Sequence, residues 1–215
     1  MKKTCFVAAI VILLAQSQAF SQSQEVPKYE VAAEFTTFER DNIYSGQRTE
    51  PGFGGRFTYN INRIFSVEGA GYFFPKRCFD CVNGGRVTEV LGGVKVGKRF
   101  ENWGIFAKVR PGVVSFGQGD FDIIPTGGGG AFPFQFENIR VNAFATDVGG
   151  VLEFYPSKRI VTRIDAGDTI MHFGRSVRNR LDFNPVTNDF TLVPFARPSR
   201  TTHHFQFVTS VGFRF

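Results

Sequence analysis

From Lys28 onward, apolar and polar side chains alternate with a period of two in eight runs of about ten residues. The runs are KYEVAAEFTTF (28–38), PGFGGRFTYN (51–60), IFSVEGAGYFF (64–74), RVTEVLGGVKVGK (86–98), WGIFAKVRPGVVSF (103–116), AFATDVGGVLEFY (143–155), RIVTRIDAGDTIMHF (159–173) and HFQFVTSVGFRF (204–215). A period of two sends successive side chains to opposite faces of a strand, so all eight read as strands, and no stretch shows convincing helical spacing. The 27 Phe and 24 Gly, against two Met and one Trp in 215 residues, tilt the chain the same way.

The connections alternate in length. Residues 61–63, 99–102 and 156–158 are tight turns of three or four residues carrying Asn, Pro and Ser, whereas 39–50, 75–85, 117–142 and 174–203 are long. In an up-and-down antiparallel meander every short turn falls at one end and every long loop at the other, the asymmetry of transmembrane barrels.

Alternation alone does not say which face is inside, because a soluble lipocalin-like barrel alternates with its apolar residues inward. Three features favour the opposite sense. The apolar face carries aromatics at its ends: Phe53 and Tyr59 bracket Gly55 and Phe57, Phe65 and Phe73 bracket Val67, Gly69 and Gly71, and Phe144 and Phe154 bracket Val148 and Leu152, as two aromatic girdles would. On the fifth run Phe116 is out of phase with Trp103 unless Pro111 and Gly112 mark a bulge.

The polar face carries Glu30, Glu34, Glu68, Glu89, Asp147, Glu153 and Asp165 against Arg56, Lys95, Lys108, Arg110, Arg163 and Arg214. A solvated surface could hold such a mixture, but Gly54, Ala32, Ala70, Gly93, Gly112, Gly149 and Gly212 share that face, and a narrow interior needs small residues between long side chains. Ten residues tilted by roughly 40° rise about 25 Å, the height of the apolar band of such barrels. A lumen filled by these residues is expected to be plugged by ion pairs, since an unpaired buried charge is costly.

The segment MKKTCFVAAIVILLAQSQAFS has Lys2 and Lys3, an apolar run from Cys5 to Ala15 and then small residues, the layout of a secretory signal peptide at 1–21, with cleavage after Ser21 or, alternatively, Ala19. The run is too short to span a bilayer. Cleavage lowers the formal charge from +6 to +4, too mild to imply nucleic acid. The two remaining cysteines, Cys78 and Cys81, lie in CFDC; a zinc site would want a second such pair and thioredoxin-like chemistry a helix start, so a local disulfide stiffening the loop is the favoured reading. No metal or cofactor is expected.

The chain resembles the small eight-stranded outer-membrane β-barrel proteins, the group that includes the OmpA transmembrane domain and OmpX. The resemblance covers roughly Tyr29 to Phe215 and is most specific in FQFVTSVGFRF, where Phe205, Phe207, Val211, Phe213 and Phe215 share a face. It implies an all-β, eight-stranded antiparallel up-and-down barrel in the outer membrane. It also implies that the last strand and its terminal aromatic are the signal read by the barrel-assembly machinery. OmpA proper continues into a peptidoglycan-binding domain for which no residues remain here, so cell-wall tethering is not carried over.

Two loop features bear on function. Arg175, Arg178, Arg180, Arg197 and Arg200 outweigh Asp182 and Asp189 in the fourth loop, a net +3 suited to lipopolysaccharide phosphates or sugars, though a solvated loop would also be charged. His203 and His204, with Ser199 nearby, invite comparison with barrels that modify lipid A, but no acid is adjacent in sequence and one would have to come from a neighbouring strand. The third loop, FDIIPTGGGGAFPFQF, reads as irregular and free either to fold over the mouth or to meet a partner; its glycines are no phosphate loop, since no Lys-Ser/Thr follows. The expected function is non-enzymatic, envelope integrity or surface contact with outer-membrane lipid, lipopolysaccharide or a surface partner. A narrow transport or ligand-binding barrel is the alternative, and a lipid A-modifying enzyme the third.

Overall fold

The computed structural model describes residues 26–42, 46–78, 84–126, 134–186 and 189–215. It contains β1 (Tyr29–Asn42), β2 (Gly46–Asn60), β3 (Phe65–Cys78), β4 (Gly84–Arg99), β5 (Trp103–Pro125), β6 (Phe134–Phe154), β7 (Ile160–Phe173), β8 (Ser176–Asn184), β9 (Asp189–Arg197) and β10 (Arg200–Arg214). Eight of these close into an antiparallel ring in the order β1-β10-β7-β6-β5-β4-β3-β2, and β8 and β9 form a separate hairpin. The all-β, eight-stranded up-and-down barrel expected from the alternation is the architecture found. The signal segment lies outside the described residues.

Closure joins β1 to β10 from Glu30↔Arg214 to Phe38↔Gln206. The Tyr29 and Phe215 backbones exchange both hydrogen bonds at 2.9 Å. No barrel strand is left with an open edge through the band, which is what a sheet in lipid requires.

The phase of the burial decides the question the sequence left open. Val31, Phe35, Phe53, Phe57, Val90, Val113, Phe144, Val148, Phe207 and Val211 are exposed on the outer wall, whereas Glu34, Arg56, Glu68, Lys95, Arg110, Asp147 and Arg163 are buried within. A soluble barrel would show the reverse, and an apolar wall running around the ring needs lipid against it.

Several inward positions are glycine because the closed sheet brings neighbouring backbones close. A Cβ on Gly93 would come within 2.0 Å of the Val109 carbonyl oxygen, and one on Gly112 within 2.0 Å of that of Val90. The constraint is therefore contact between strands, in addition to room for charged side chains.

The strands outrun the sequence reading at the long-loop rim. Much of 39–50, 75–85 and 117–142 is strand, and 117–142 continues β5 and β6 to Pro125 and back from Phe134. In the strand parts of 39–50 and 75–85 both faces carry polar side chains, and in 117–142 apolar residues fall on both faces, so the period-two contrast weakens while backbone pairing continues. The fourth long loop holds β8 and β9, paired from Ser176↔Arg197 to Asn184↔Asp189. Phe116 points inward and is buried, and the register runs unbroken from Val87↔Phe116 through Leu91↔Gly112 to Val94↔Val109. There is accordingly no bulge at Pro111 and Gly112; the irregularity lies between Phe116 and Asp120, against β6.

Candidate functional sites in the lumen and at the long-loop rim

Among the described residues the lumen buries eight carboxylates (Glu30, Glu34, Glu50, Glu68, Glu89, Asp147, Glu153, Asp165) and eight cations (Arg40, Arg56, Lys95, Arg99, Lys108, Arg110, Arg163, Arg214), so its formal charge is balanced. The centre is one connected network. Arg56 donates to Glu34 at 2.8 Å and also reaches Glu68 at 3.3 Å. Arg163 reaches Glu68 from the opposite wall, Nη2 to Oε2 at 3.1 Å, and is also paired with Asp165 through Nε. Arg110 donates to Asp147 at 2.6 and 2.8 Å, and Lys108 lies between Asp147 at 2.8 Å and Asp165 at 3.2 Å. Lys95 is paired with Glu153.

Towards the short-turn rim, Arg99 donates to Asn60 at 2.6 Å and lies 3.7 Å from Glu30. Two of the residues expected in the network stand apart from it. Among the described residues Glu89 has no cation within ion-pair distance, and it accepts instead from Gln206 Nε2 at 2.9 Å. Arg214, at the short-turn end of β10, donates to the Ser157 carbonyl at 3.0 Å and lies over the Tyr155 ring. Conversely, Arg40 pairs with Glu50 at 2.8 Å inside the long-loop end, although both lay in a stretch read as loop. Their even-numbered phase on β1 and β2 was the available signal.

Above the charged network the lumen turns apolar. Phe38, Phe74, Val87, Phe116, Met171 and Phe173 belong to one buried cluster, with Phe38 and Phe74 rings 5.3 Å apart and Phe116 and Phe173 5.9 Å apart. The interior thus has two stoppers of different chemistry, ion pairs below and packed aromatics above. Water and ions would have to break a hydrogen-bonded charge network and then cross an apolar constriction that disfavours wetting.

At the long-loop rim, the β8–β9 hairpin leans on the upper part of β5. Arg178 and Arg197 bind Asp120 at 3.2 and 2.8 Å, and the Asn179 N–H donates to Asp122 Oδ1 at 3.0 Å. That hydrogen bond from the Asn179 backbone, helped by the Ile123 N–H, holds the Asp122 carboxyl below its ordinary range. Hairpin, β5, β6 and the end of β7 enclose a groove of about 500 Å³ lined by Arg140, Arg175, Arg178, Arg197, Arg200 and Asp120. Four of the five expected loop arginines therefore meet there. Arg180 does not; it lies over the Phe195 ring on the hairpin. Arg140 joins from β6; 117–142, with its glycine run, reads as loop, although the alternation in Asn138-Ile139-Arg140-Val141-Asn142 is an available signal.

The histidines have the acid the sequence could not locate. His203 Nδ1 lies 2.6 Å from Asp168 Oδ2 on β7, while His172 Nδ1 lies 3.1 Å from Thr201 Oγ1. His204 stacks on Phe38 and meets the Glu39 carbonyl through Nδ1 and the Thr202 hydroxyl through Nε2. In these contacts no single imidazole joins an acid to a hydroxyl, the relay that nucleophilic hydrolysis uses. The Cys78 backbone closes β3 opposite Gly85. The proposed Cys78–Cys81 ring and the glycine run of the third loop lie outside the described residues.

No family model matches this chain, and no curated protein matches it by sequence. Solved structures do. Ail, the attachment invasion locus protein of Yersinia pestis, is 14% identical over 89% of this chain and 100% of its own, with a TM-score of 0.50. Neisserial surface protein A is 12% identical over 87% and 97%, with a TM-score of 0.47. OprG of Pseudomonas aeruginosa is 10% identical over 91% and 99%, with a TM-score of 0.43. Together with the closed ring, its outward apolar wall and its charged lumen, the likeness to Ail shows that this chain has the fold of the small eight-stranded outer-membrane β-barrels.

Proposed function

We propose that the protein is an integral outer-membrane barrel, exported by cleavage of residues 1–21, that is non-enzymatic, holds its lumen shut and acts at the cell surface. Its last strand, with Phe205, Phe207, Val211, Phe213 and Phe215 outward, is the element the barrel-assembly machinery reads. The short turns face the periplasm and the long loops face out. The groove at the long-loop rim binds anionic lipopolysaccharide through its phosphates and acidic sugars, contributing surface contact and envelope integrity.

One observation carries this reading: five arginines from three parts of the chain converge on one groove that, among the described residues, contains a single carboxylate. Guanidinium groups hold phosphate and carboxylate bidentately, and several acting together bind a polyanion far better than scattered surface charges. The test is binding of rough lipopolysaccharide, native and enzymatically dephosphorylated, to purified protein in detergent. A variant with Arg175, Arg178, Arg197 and Arg200 changed to Gln is expected to lose at least tenfold in affinity for the native form, by roughly one charge-assisted contact or more. Equal affinity of variant and wild type would remove the proposal.

A further inference from the structure

A second basic feature lies on the outer wall of the barrel, beside the groove with which it shares Arg140, and is made by β3 to β6. Successive outward rows there change chemistry with height. Gly71, Val90, Val113 and Phe144 pair across the strands as an apolar row. One outward position higher, Phe73, Thr88, Ser115 and Asn142 pair in turn, adding hydroxyls and an amide. Above them Arg77, Arg86 and Arg140 surround a notch of about 340 Å³ whose lining among the described residues includes Thr88, Ser115 and Gly117 and no acidic residue. Each step along a strand to the next outward side chain is about 7 Å. The wall therefore passes from hydrocarbon-like to hydroxyl to guanidinium within the depth of a lipid headgroup.

Gly117 makes the notch. A Cβ built there meets nothing closer than the Arg86 carbonyl oxygen at 3.4 Å, an ordinary contact, and its φ is not in the left-handed region. The backbone does not need glycine at this position. The absence of a side chain is what leaves open space between the arginines.

We infer that this notch is a site for the phosphate of an outer-leaflet phosphoglycolipid, whose acyl chains lie along the apolar row beneath. The three guanidinia supply the charge-assisted hydrogen bonds, Thr88 and Ser115 meet the sugar or ester oxygens, and Phe73 and Val113 border the first methylenes. The site is independent of the lipopolysaccharide reading of the groove in all its residues except Arg140.

The experiment measures retention of bis-phosphorylated lipid A, dephosphorylated lipid A and inorganic pyrophosphate by the full mature protein in detergent, by native mass spectrometry. Wild type is expected to retain the phosphorylated lipid in preference to both others. The variant R77Q/R86Q is expected to weaken that retention at least about tenfold. Gly117→Leu, which keeps every arginine, is expected to do the same by filling the notch. In the groove variant with Arg175, Arg178, Arg197 and Arg200 changed to Gln, where the groove's own binding is removed, R77Q/R86Q is expected to weaken the remaining retention by the same factor, which separates this site from the groove. Equal retention of the dephosphorylated lipid, or unchanged retention by either notch variant, overturns the inference. Pyrophosphate held as well as the lipid overturns the lipid assignment, because the acyl row would then contribute nothing.

Discussion

Arg163 on β7 donates to Glu68 on β3 across the full width of the lumen, Nη2 to Oε2 at 3.1 Å, joining strands that sit opposite one another in the ring. Both side chains are essentially inaccessible to solvent. Removing either partner unbalances a closed network, leaving Arg56 and Lys95 short of a carboxylate or Glu68 and Asp165 short of a cation, so Arg163→Met or Glu68→Gln is expected to destabilise the barrel by about 3–5 kcal/mol. The double variant should cost clearly less than the sum, because the network then loses one charge of each sign and stays balanced. Urea titration of the folded, heat-modifiable gel band checks both statements, and additive costs would show that the two groups are not coupled.

Glu89 provides the contrast. It is buried but, among the described residues, has no cation within ion-pair distance, and it accepts from the Gln206 amide at 2.9 Å. Glu89→Gln preserves the shape and can still accept that hydrogen bond while removing a buried charge that makes no direct ion pair among the described residues. It should be neutral or stabilising in the same titration. A loss as large as that of Glu68→Gln would mean that Glu89 is held by a partner not seen at this site.

The difference between Glu68 and Glu89 also marks how much was legible in the sequence. Alternation assigned both to the lumen, because a single strand's phase is local information. It could not say which cation each would meet, since Glu68 meets a residue 95 positions away while Glu89 meets Gln206, a neutral residue. The apolar stopper was invisible for a related reason. At Phe73–Phe74 and Val113–Val114 both faces of the strand are apolar, and a period-two reading has no contrast there from which to place Phe74 and Val114 inside. The arginine groove was half legible: loop charge flagged Arg175, Arg178, Arg197 and Arg200, but only the β8–β9 hairpin and the extension of β6 bring Arg140 to them.

The two stoppers make a statement about conduction. Purified protein in planar bilayers should show no stable, large conductance. Truncating Phe74 and Phe116 to Ala should lower stability, by about 3–5 kcal/mol for each. It should not open a channel, because the Arg163, Glu68 and Arg110 network still fills the section below. Steady open-channel currents from the wild type would contradict the closed lumen directly.

Docking of the β8–β9 hairpin should depend on pH in acid. The Asn179 N–H donates to Asp122 Oδ1 and lowers the carboxyl's pKa in the docked state. A lowered value means that this contribution is fully present above the ordinary aspartate value of about 3.9 and is lost as pH falls through the docked value. Amide exchange at Asn179, corrected for the intrinsic pH dependence, should accelerate in that range. Asp122→Asn should flatten the dependence, and a wild-type profile identical to that of the variant would place the docking energy elsewhere.

The seam between β1 and β10 separates assembly from stability. At its lower end the Tyr29 and Phe215 backbones exchange two hydrogen bonds at 2.9 Å, and their rings lie 5.8 Å apart on the outer wall, where Phe215 is 61% exposed. Phe215→Ala keeps both backbone bonds and removes a ring that buries little against protein, so the folded barrel should lose about 1 kcal/mol or less. If that ring is instead read during insertion, the same change should slow appearance of the folded band in cells or in assembly-machinery proteoliposomes by several fold. Refolding into plain detergent, where no machinery reads the strand, should stay near the wild-type rate. Equal slowing in both settings would assign Phe215 to closing the seam, and equal rates everywhere would leave it without a part in assembly.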